Sequence, residues 1–271
     1  MQVKKRIFAG AVCDQVIYEA PNGVRGISKK NPRPRFKTEE ERAAYNYNVA
    51  RRRHALLINA NFGPSSYYST LTFNNDNEVY DYKEAKILRN KYYRKLRRTY
   101  PDAKISIYMG RGKSTARIHF HMLSDGIPPE VILKKWIWGE IRECKKFRDH
   151  NKDKITGQDH GRDYTNVANY CFDHWTEEQG KGKRYKHSSN FELPEEEEAT
   201  ECILQYSAAK PPKAPKGYIY SGDCFITPYG YMRFRYYQDL TLQNEDINRR
   251  RLKSDCEQIM KTVLLQRKRK K

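Results

Sequence analysis

Long apolar runs are missing from this 271-residue chain: no stretch approaches the ~20 consecutive apolar residues that a membrane-crossing helix needs. The opening Met1–Cys13 carries two lysines and an arginine ahead of a brief apolar run. That run is short and no small-residue cleavage site follows it, so a strand is expected there and not a signal peptide. Cysteine is scarce and scattered. The six, at positions 13, 144, 171, 202, 224 and 256, form no C-x-x-C pair, which argues against a zinc ribbon or a disulfide framework and for a reduced, intracellular protein. Acidic charge is in short supply, with 33 Asp and Glu against 53 Lys and Arg and a net charge of +20. Self-repulsion of that size favours a polyanionic partner, nucleic acid foremost, over an inert basic surface. No phosphate loop of the G-x-x-x-x-G-K-[ST] kind occurs, so unwinding of nucleic acid would fall to another protein, and no internal repeat is visible.

Tyrosine is what the chain has in plenty. Its 21 Tyr bring the aromatic share to 13%, and with 38% apolar residues the composition is that of a folded chain, one large domain or a domain with an appendage. Four segments are expected: a basic N-terminal strand, arm and helix over 1–59, a core over 60–192, an acidic and Pro-rich connector with additional strands over 193–244, and a basic C-terminal helical tail over 245–271. Thr38 and Glu41 form a capping-box signature for a cationic helix to about Ala60, and Asp81 caps a second, in which Leu88, Tyr92 and Leu96 recur at spacing four. Ser66–Phe73 reads as a strand, and Lys104–Met109 with Ala116–Leu123 as a β-hairpin turning at Gly110-Arg111-Gly112-Lys113. Pro128-Pro129 opens an expected helix through about Cys144, and Asp163 caps another over Tyr164–Trp175. In the last strand, Tyr231–Tyr237, Arg233 and Arg235 alternate with Met232, Phe234 and Tyr236, an arginine face suited to a phosphate backbone.

Two patterns carry chemistry. In Ile118-His119-Phe120-His121-Met122 the period of two aims both imidazoles the same way, on an expected solvated strand face, while Ile118, Phe120 and Met122 face the core. Paired neutral imidazoles suit a divalent metal. On the helix that follows, Tyr170, Asp173 and His174 stand at i, i+3 and i+4 and share a face, which sets a phenol beside an acid and a base. Tyrosine is a poor nucleophile at its ordinary pKa of about 10, so such a site would need both a metal on the scissile phosphate and an acceptor for the phenolic proton.

With the strand Leu71-Thr72-Phe73, the His119–His121 strand and Tyr170 in that chain order, the segment of roughly residues 60–190 resembles the HUH endonucleases, and among them the rolling-circle replication initiators of small phages, plasmids and integrated elements. The resemblance implies an α+β fold, a central antiparallel sheet with packed helices (RRM-like). It implies site-specific nicking and rejoining of single-stranded DNA at a replication origin through a 5′-phosphotyrosine on Tyr170. Asp173 and His174 would handle the proton, and His119 and His121 would hold Mg²⁺ or Mn²⁺. It also implies a prokaryotic host cytoplasm, host helicase and polymerase as partners, and no membrane. Many single-tyrosine members place a Lys three residues after the Tyr, where this chain has Asp173. Lys181, Lys183 or Arg184 could replace it at the phosphate, and Asp173, Asp76 or Glu78 could complete the metal shell.

Arg111, Lys113 and Arg117 beside the histidine strand, the run Arg51, Arg52 and Arg53, and Lys183 with Arg184 are the candidate nucleic-acid contacts, with Tyr67 and Tyr68 as stacking platforms for unpaired bases. A transposase or mobilisation relaxase of similar chemistry is an alternative, as is a non-catalytic nucleic-acid-binding protein. The absence of a third clustered His after His121 counts against the relaxase.

Overall fold

The computed structural model describes residues 2–20, 38–112, 114–152, 157–174, 185–227 and 231–240, with the backbone alone at Arg142. In chain order its elements are β1 (Gln2–Ala9), β2 (Val12–Glu19), α1 (Glu39–Asn61), β3 (Tyr67–Thr72), α2 (Tyr82–Thr99), β4 (Lys104–Arg111), β5 (Ile118–Asp125) and α3 (Pro129–Lys135). They continue with β6 (Ile141–Lys146), α4 (Thr165–Asp173), β7 (Tyr185–His187), β8 (Glu195–Glu196), β9 (Thr200–Glu201), β10 (Tyr218–Ile226) and β11 (Met232–Gln238). No helix among the described residues is long and apolar enough to cross a membrane. The fold is α+β, with two antiparallel sheets where one was expected.

The first sheet runs β6-β3-β5-β4-β7, which makes the histidine strand β5 central. One side of it follows from period-two alternation: Leu71, Ile105, Ile107, Phe120 and Met122 pack against Tyr92 and Leu96 of α2 and Ile132 of α3. Each large side chain buried this way is worth ~1.5–3 kcal/mol before entropy is counted. The helix α2 forms because Asp81 accepts from the N–H groups of Lys83 and Glu84, and every fourth or third residue offers an apolar surface to the sheet. The other side of the sheet receives α1 and α4, with Ala55 and Ile58 of α1 and Ala168 and Cys171 of α4 against Tyr108 and Leu123. Helices therefore pack on both faces, and the histidines, expected on a solvated face, lie on a partly covered side: His121 is buried, and His119 is half-buried at the edge of a cleft.

The second sheet, β10-β11-β2-β1-β8 with β9 also on β1, joins the two ends of the chain and packs on the far side of α1. The acid run that reads as a connector neutralises cations of β1, through Lys5 with Glu196 and Arg6 with Glu197. The arginine face expected on β11 is not a free phosphate-binding surface. Arg235 is buried and gives two hydrogen bonds to the buried Asp14, at 2.7 and 3.1 Å, while its Nη1 donates to Thr165 Oγ1 at the start of α4 (2.5 Å). Arg233 pairs with Asp223. Pairing offsets the cost of burying the Arg235 guanidinium, and removing one partner of such a pair costs ~3–5 kcal/mol.

The expected helix over Pro128–Cys144 ends at Lys135, and the following segment becomes β6. Its apolar residues fit a helical period, but Gly139 settles the outcome by contact. A Cβ there would meet the carbonyl of Thr72 at 2.1 Å, so the chain can lie along β3 only with glycine at that point, and Thr72 N–H then donates to Glu140 O at 2.9 Å. The expected arm over 20–37, beyond Ala20, and the basic tail over 245–271 lie outside the described residues.

His54 of α1 is buried against Phe172 and Tyr185 and shares a hydrogen bond of 2.9 Å with the Tyr108 hydroxyl. Burial, with the charge of His187 adding to it, pushes its pKa down to about 3. The unfolded chain takes up this proton near 6.5 and the folded chain does not. Stability is therefore full above pH 6.5 and declines as pH falls from there toward 3. In chelator, the urea midpoint should drop between pH 6.5 and 4.5, above the carboxylate range, and His54→Gln should drop less steeply. An equal slope in the variant would remove His54 from the account.

Candidate active site

Where β5 passes beneath α4, three imidazoles converge. His119 and His121 point to the same side of β5, and His174 at the end of α4 comes down on them, with one ring nitrogen from each inside a common span of 4.8 Å. The Nε2 atoms of His119 and His121 are 3.0 Å apart, and the His121 and His174 ring centroids 4.4 Å. Among the described residues, this converging group contains no carboxylate.

Hydrogen bonding sets which ring nitrogens are engaged outside the cluster. His174 Nδ1 lies 2.6 Å from the backbone carbonyl of Tyr170, and a carbonyl can only accept, so Nδ1 carries a hydrogen and Nε2 is its position for a cation. Nδ1 of His121 meets the Tyr68 hydroxyl at 2.7 Å, and Tyr68 also accepts from Thr70 at 3.2 Å. Outer contacts of this kind orient ligating imidazoles. His121 is 1% exposed. Burial, then the neighbouring His174 and His119, push its pKa down to about 2 and hold it neutral. Burial likewise raises the Tyr68 phenol and keeps it protonated.

Tyr170 is 49% exposed and its ring lies beside the cluster, with centroids 4.3 Å from His174 and 5.2 Å from His121. It borders an open cleft of about 710 Å³ with Thr70, Thr72, Arg117, Glu143 and Lys145. The floor is the face of β3, because Thr70 pairs with His121 and Thr72 with His119 across the ladder.

Asp173 does not join Tyr170 and His174. At ~100° per residue, i+3 and i+4 fall on opposite flanks of Tyr170, about 100° apart. The flank of Asp173 faces α1, where Arg51 holds its carboxylate with two hydrogen bonds of 2.8 and 2.7 Å and Tyr47 gives a third. Burial pushes this carboxyl up, but the hydrogen bonds and charge of Arg51 with the Tyr47 bond outweigh it and hold it below the usual range. Asp173 thus anchors the end of α4, as Asn59 anchors its start by accepting from Tyr164 N–H at 2.9 Å. The same contact takes Arg51 out of the set of free cations.

Of the other expected contacts, Arg52 lies over the Tyr231 ring and Arg53 is exposed. Arg111 donates to the Tyr80 carbonyl at 3.0 Å and stacks on Tyr82, while Arg117 pairs with Glu78. Glu78 is thereby occupied, and neither it nor Asp76 joins the converging group. Lys113, Lys181, Lys183 and Arg184 lie outside the described residues.

Gly110 is a member of this site that reads from sequence as a turn residue. It sits within β4 opposite His119, and a Cβ there would stand 2.7 Å from His119 Nε2 and 2.8 Å from His174 Cδ2. A glycine inside an otherwise apolar strand is the available signal for such close approach. Gly110→Ala should weaken Mn²⁺ binding by about tenfold or more, the scale of outer contacts to a metal site. Gly63→Ala, which meets nothing within 4 Å, should leave binding unchanged. Equal titrations for both would show that the imidazoles do not need this space. Comparisons with protein-family models, with curated proteins and with solved structures found no match.

Proposed function

We propose that the protein is a metal-dependent, single-strand DNA nickase and ligase of the HUH type, with Tyr170 as nucleophile, serving the initiation of rolling-circle replication. The observation that carries this reading is the placement of an exposed phenol on α4, beside a cluster of two imidazoles from the central strand and one from the end of that helix. The donor set fits a divalent cation, since two Nδ1 positions are engaged and three ring nitrogens converge. His119, His121 and His174 would hold it, and three nitrogen donors suit Mn²⁺ better than Mg²⁺, which prefers oxygen. The chemistry such a cation supplies when bound is Lewis-acid polarisation of the scissile phosphate.

The chain's own residues do the remainder. Tyr170 Oη attacks phosphorus, the new O–P bond forms as the P–O3′ bond breaks, and the departing 3′ oxygen takes a proton from water. His174 cannot serve as both ligand and base, because Nδ1 is committed to the Tyr170 carbonyl and only Nε2 is left. The phenolic proton therefore passes to water, which reaches the half-exposed Tyr170 through the open cleft. The anchored ends of α4 hold the phenol in place.

His174 also supplies in space the third histidine that is missing from the sequence beside His121. That favours a mobilisation relaxase or transposase of the same chemistry as the second reading. Incubating the full chain with a pool of single-stranded oligonucleotides should give protein–DNA adducts that survive denaturation with Mn²⁺ and are absent with chelator. A chain that binds these strands and forms no adduct is a binding protein.

A further inference from the structure

The outward side of α2 carries Lys83, Lys91, Arg94, Lys95 and Arg98, all exposed. At ~100° per residue they fill about a third of the helix circumference, opposite the stripe of Tyr82, Ala85, Arg89, Tyr92 and Leu96 that is buried on the sheet. Glu84 is the acid on that side. Among the described residues none of these five cations is paired with a carboxylate, whereas Arg51, Arg117, Arg233 and Arg235 all are. Beside the stripe, a groove of about 360 Å³ between α2 and α3 is lined by Lys95, Thr99, Lys134 and Lys135 over Tyr100 and Val131. Lys135 donates to Thr99 Oγ1 at 2.8 Å, which gathers cations and a hydroxyl at one point.

We infer that this face of α2 and α3 binds the backbone of double-stranded DNA. Lys83 and Arg98 are 15 residues apart on one rigid helix, about 22 Å, enough to meet the phosphate rows on both sides of a major groove ~12 Å wide. No ring of α2 is open in the stripe: Tyr82 and Tyr92 are buried, Tyr93 lies under Lys186, and the Trp138 ring beneath Lys91 is buried. Unpaired bases are held by stacking on exposed rings, and Tyr100 in the groove is half-buried among lysines, so this cationic surface suits a duplex, whose bases are already stacked. Ile87 on α2 and Leu133 on α3 are the exposed large apolar side chains of this face, too little apolar surface for insertion into a lipid bilayer. The alternation along β5 places this face on the side of the sheet away from the histidines, so duplex and single strand can be held together.

The inference stands apart from the nickase reading and is tested separately. The full-length variant Lys91→Gln, Arg94→Gln, Lys95→Gln and Arg98→Gln is titrated with a duplex of about 20 base pairs and with one of its strands, across a salt series. Duplex affinity should fall about tenfold or more, and the slope of log K against log salt should flatten by ~0.9 for each phosphate no longer neutralised. Single-strand affinity should change less than threefold, and Tyr170→Phe should bind duplex like the parent. Unchanged duplex affinity, an equal loss for both DNA forms, or binding to phosphatidylserine vesicles without duplex binding would each overturn it. Loss of adduct formation in every protein, with the duplex result intact, would sink the nickase reading alone.

Discussion

Tyr170→Phe should abolish covalent attachment to single-stranded DNA while leaving folding and DNA affinity in place. The substitution removes one oxygen from a half-exposed ring and preserves its volume, so the packing of α4 through Ala168, Cys171 and Phe172 is untouched. Loss of a nucleophile that no neighbour replaces lowers the rate by about 10³-fold or more. Tyr164→Phe is the informative companion. Tyr164 is buried against Phe147, and its hydroxyl donates to the Arg148 carbonyl at 3.1 Å, away from the histidines. Its removal should cost ~1 kcal/mol of stability and little activity. Measured rates of adduct formation for the pair check this, and an active Tyr170→Phe would reassign the nucleophile.

The second large effect is expected at the imidazoles. His119→Ala with His174→Ala should eliminate Mn²⁺ binding in calorimetric titration and reduce cleavage by about 10³-fold or more, since one ligand cannot hold the ion in place. His121 is best left intact in this experiment, because it is buried and its loss would leave a cavity and orphan the Tyr68 hydroxyl. Single-strand affinity of the double variant should fall by less than about threefold, because the Lys and Arg that can neutralise phosphates, drawn from the chain's 53, are untouched. Undiminished metal-dependent cleavage would make the cluster structural only.

How far the sequence could be read depended on the range of each interaction. The caps of α1 and α2 and the β4–β5 hairpin were legible because Thr38, Asp81 and the alternation of Ile118, Phe120 and Met122 act over a few residues. The strand β6 was not, since its choice over a helix rests on Gly139 touching Thr72, 67 residues earlier in the chain. The arginines of β11 alternate in sequence as a solvent face would, and only the pairing of Arg235 with Asp14, 221 positions away, shows that their side is covered. At the site, the strand histidines and Tyr170 could be named from spacing. The position of His174 over them required α4 to be pinned by Asn59 and Arg51, and Asp173 falls on the other flank of the helix, where the second of these pins holds it.

The most direct test of the central claim is mass spectrometry of a trapped adduct. The full chain, incubated with Mn²⁺ and single-stranded DNA, is digested, and the residue carrying the nucleotide is located. The account predicts a 5′-phosphate ester on Tyr170 within the peptide that spans α4. A nucleotide on any other residue, or a chain that yields no adduct with any single-stranded substrate, would contradict it.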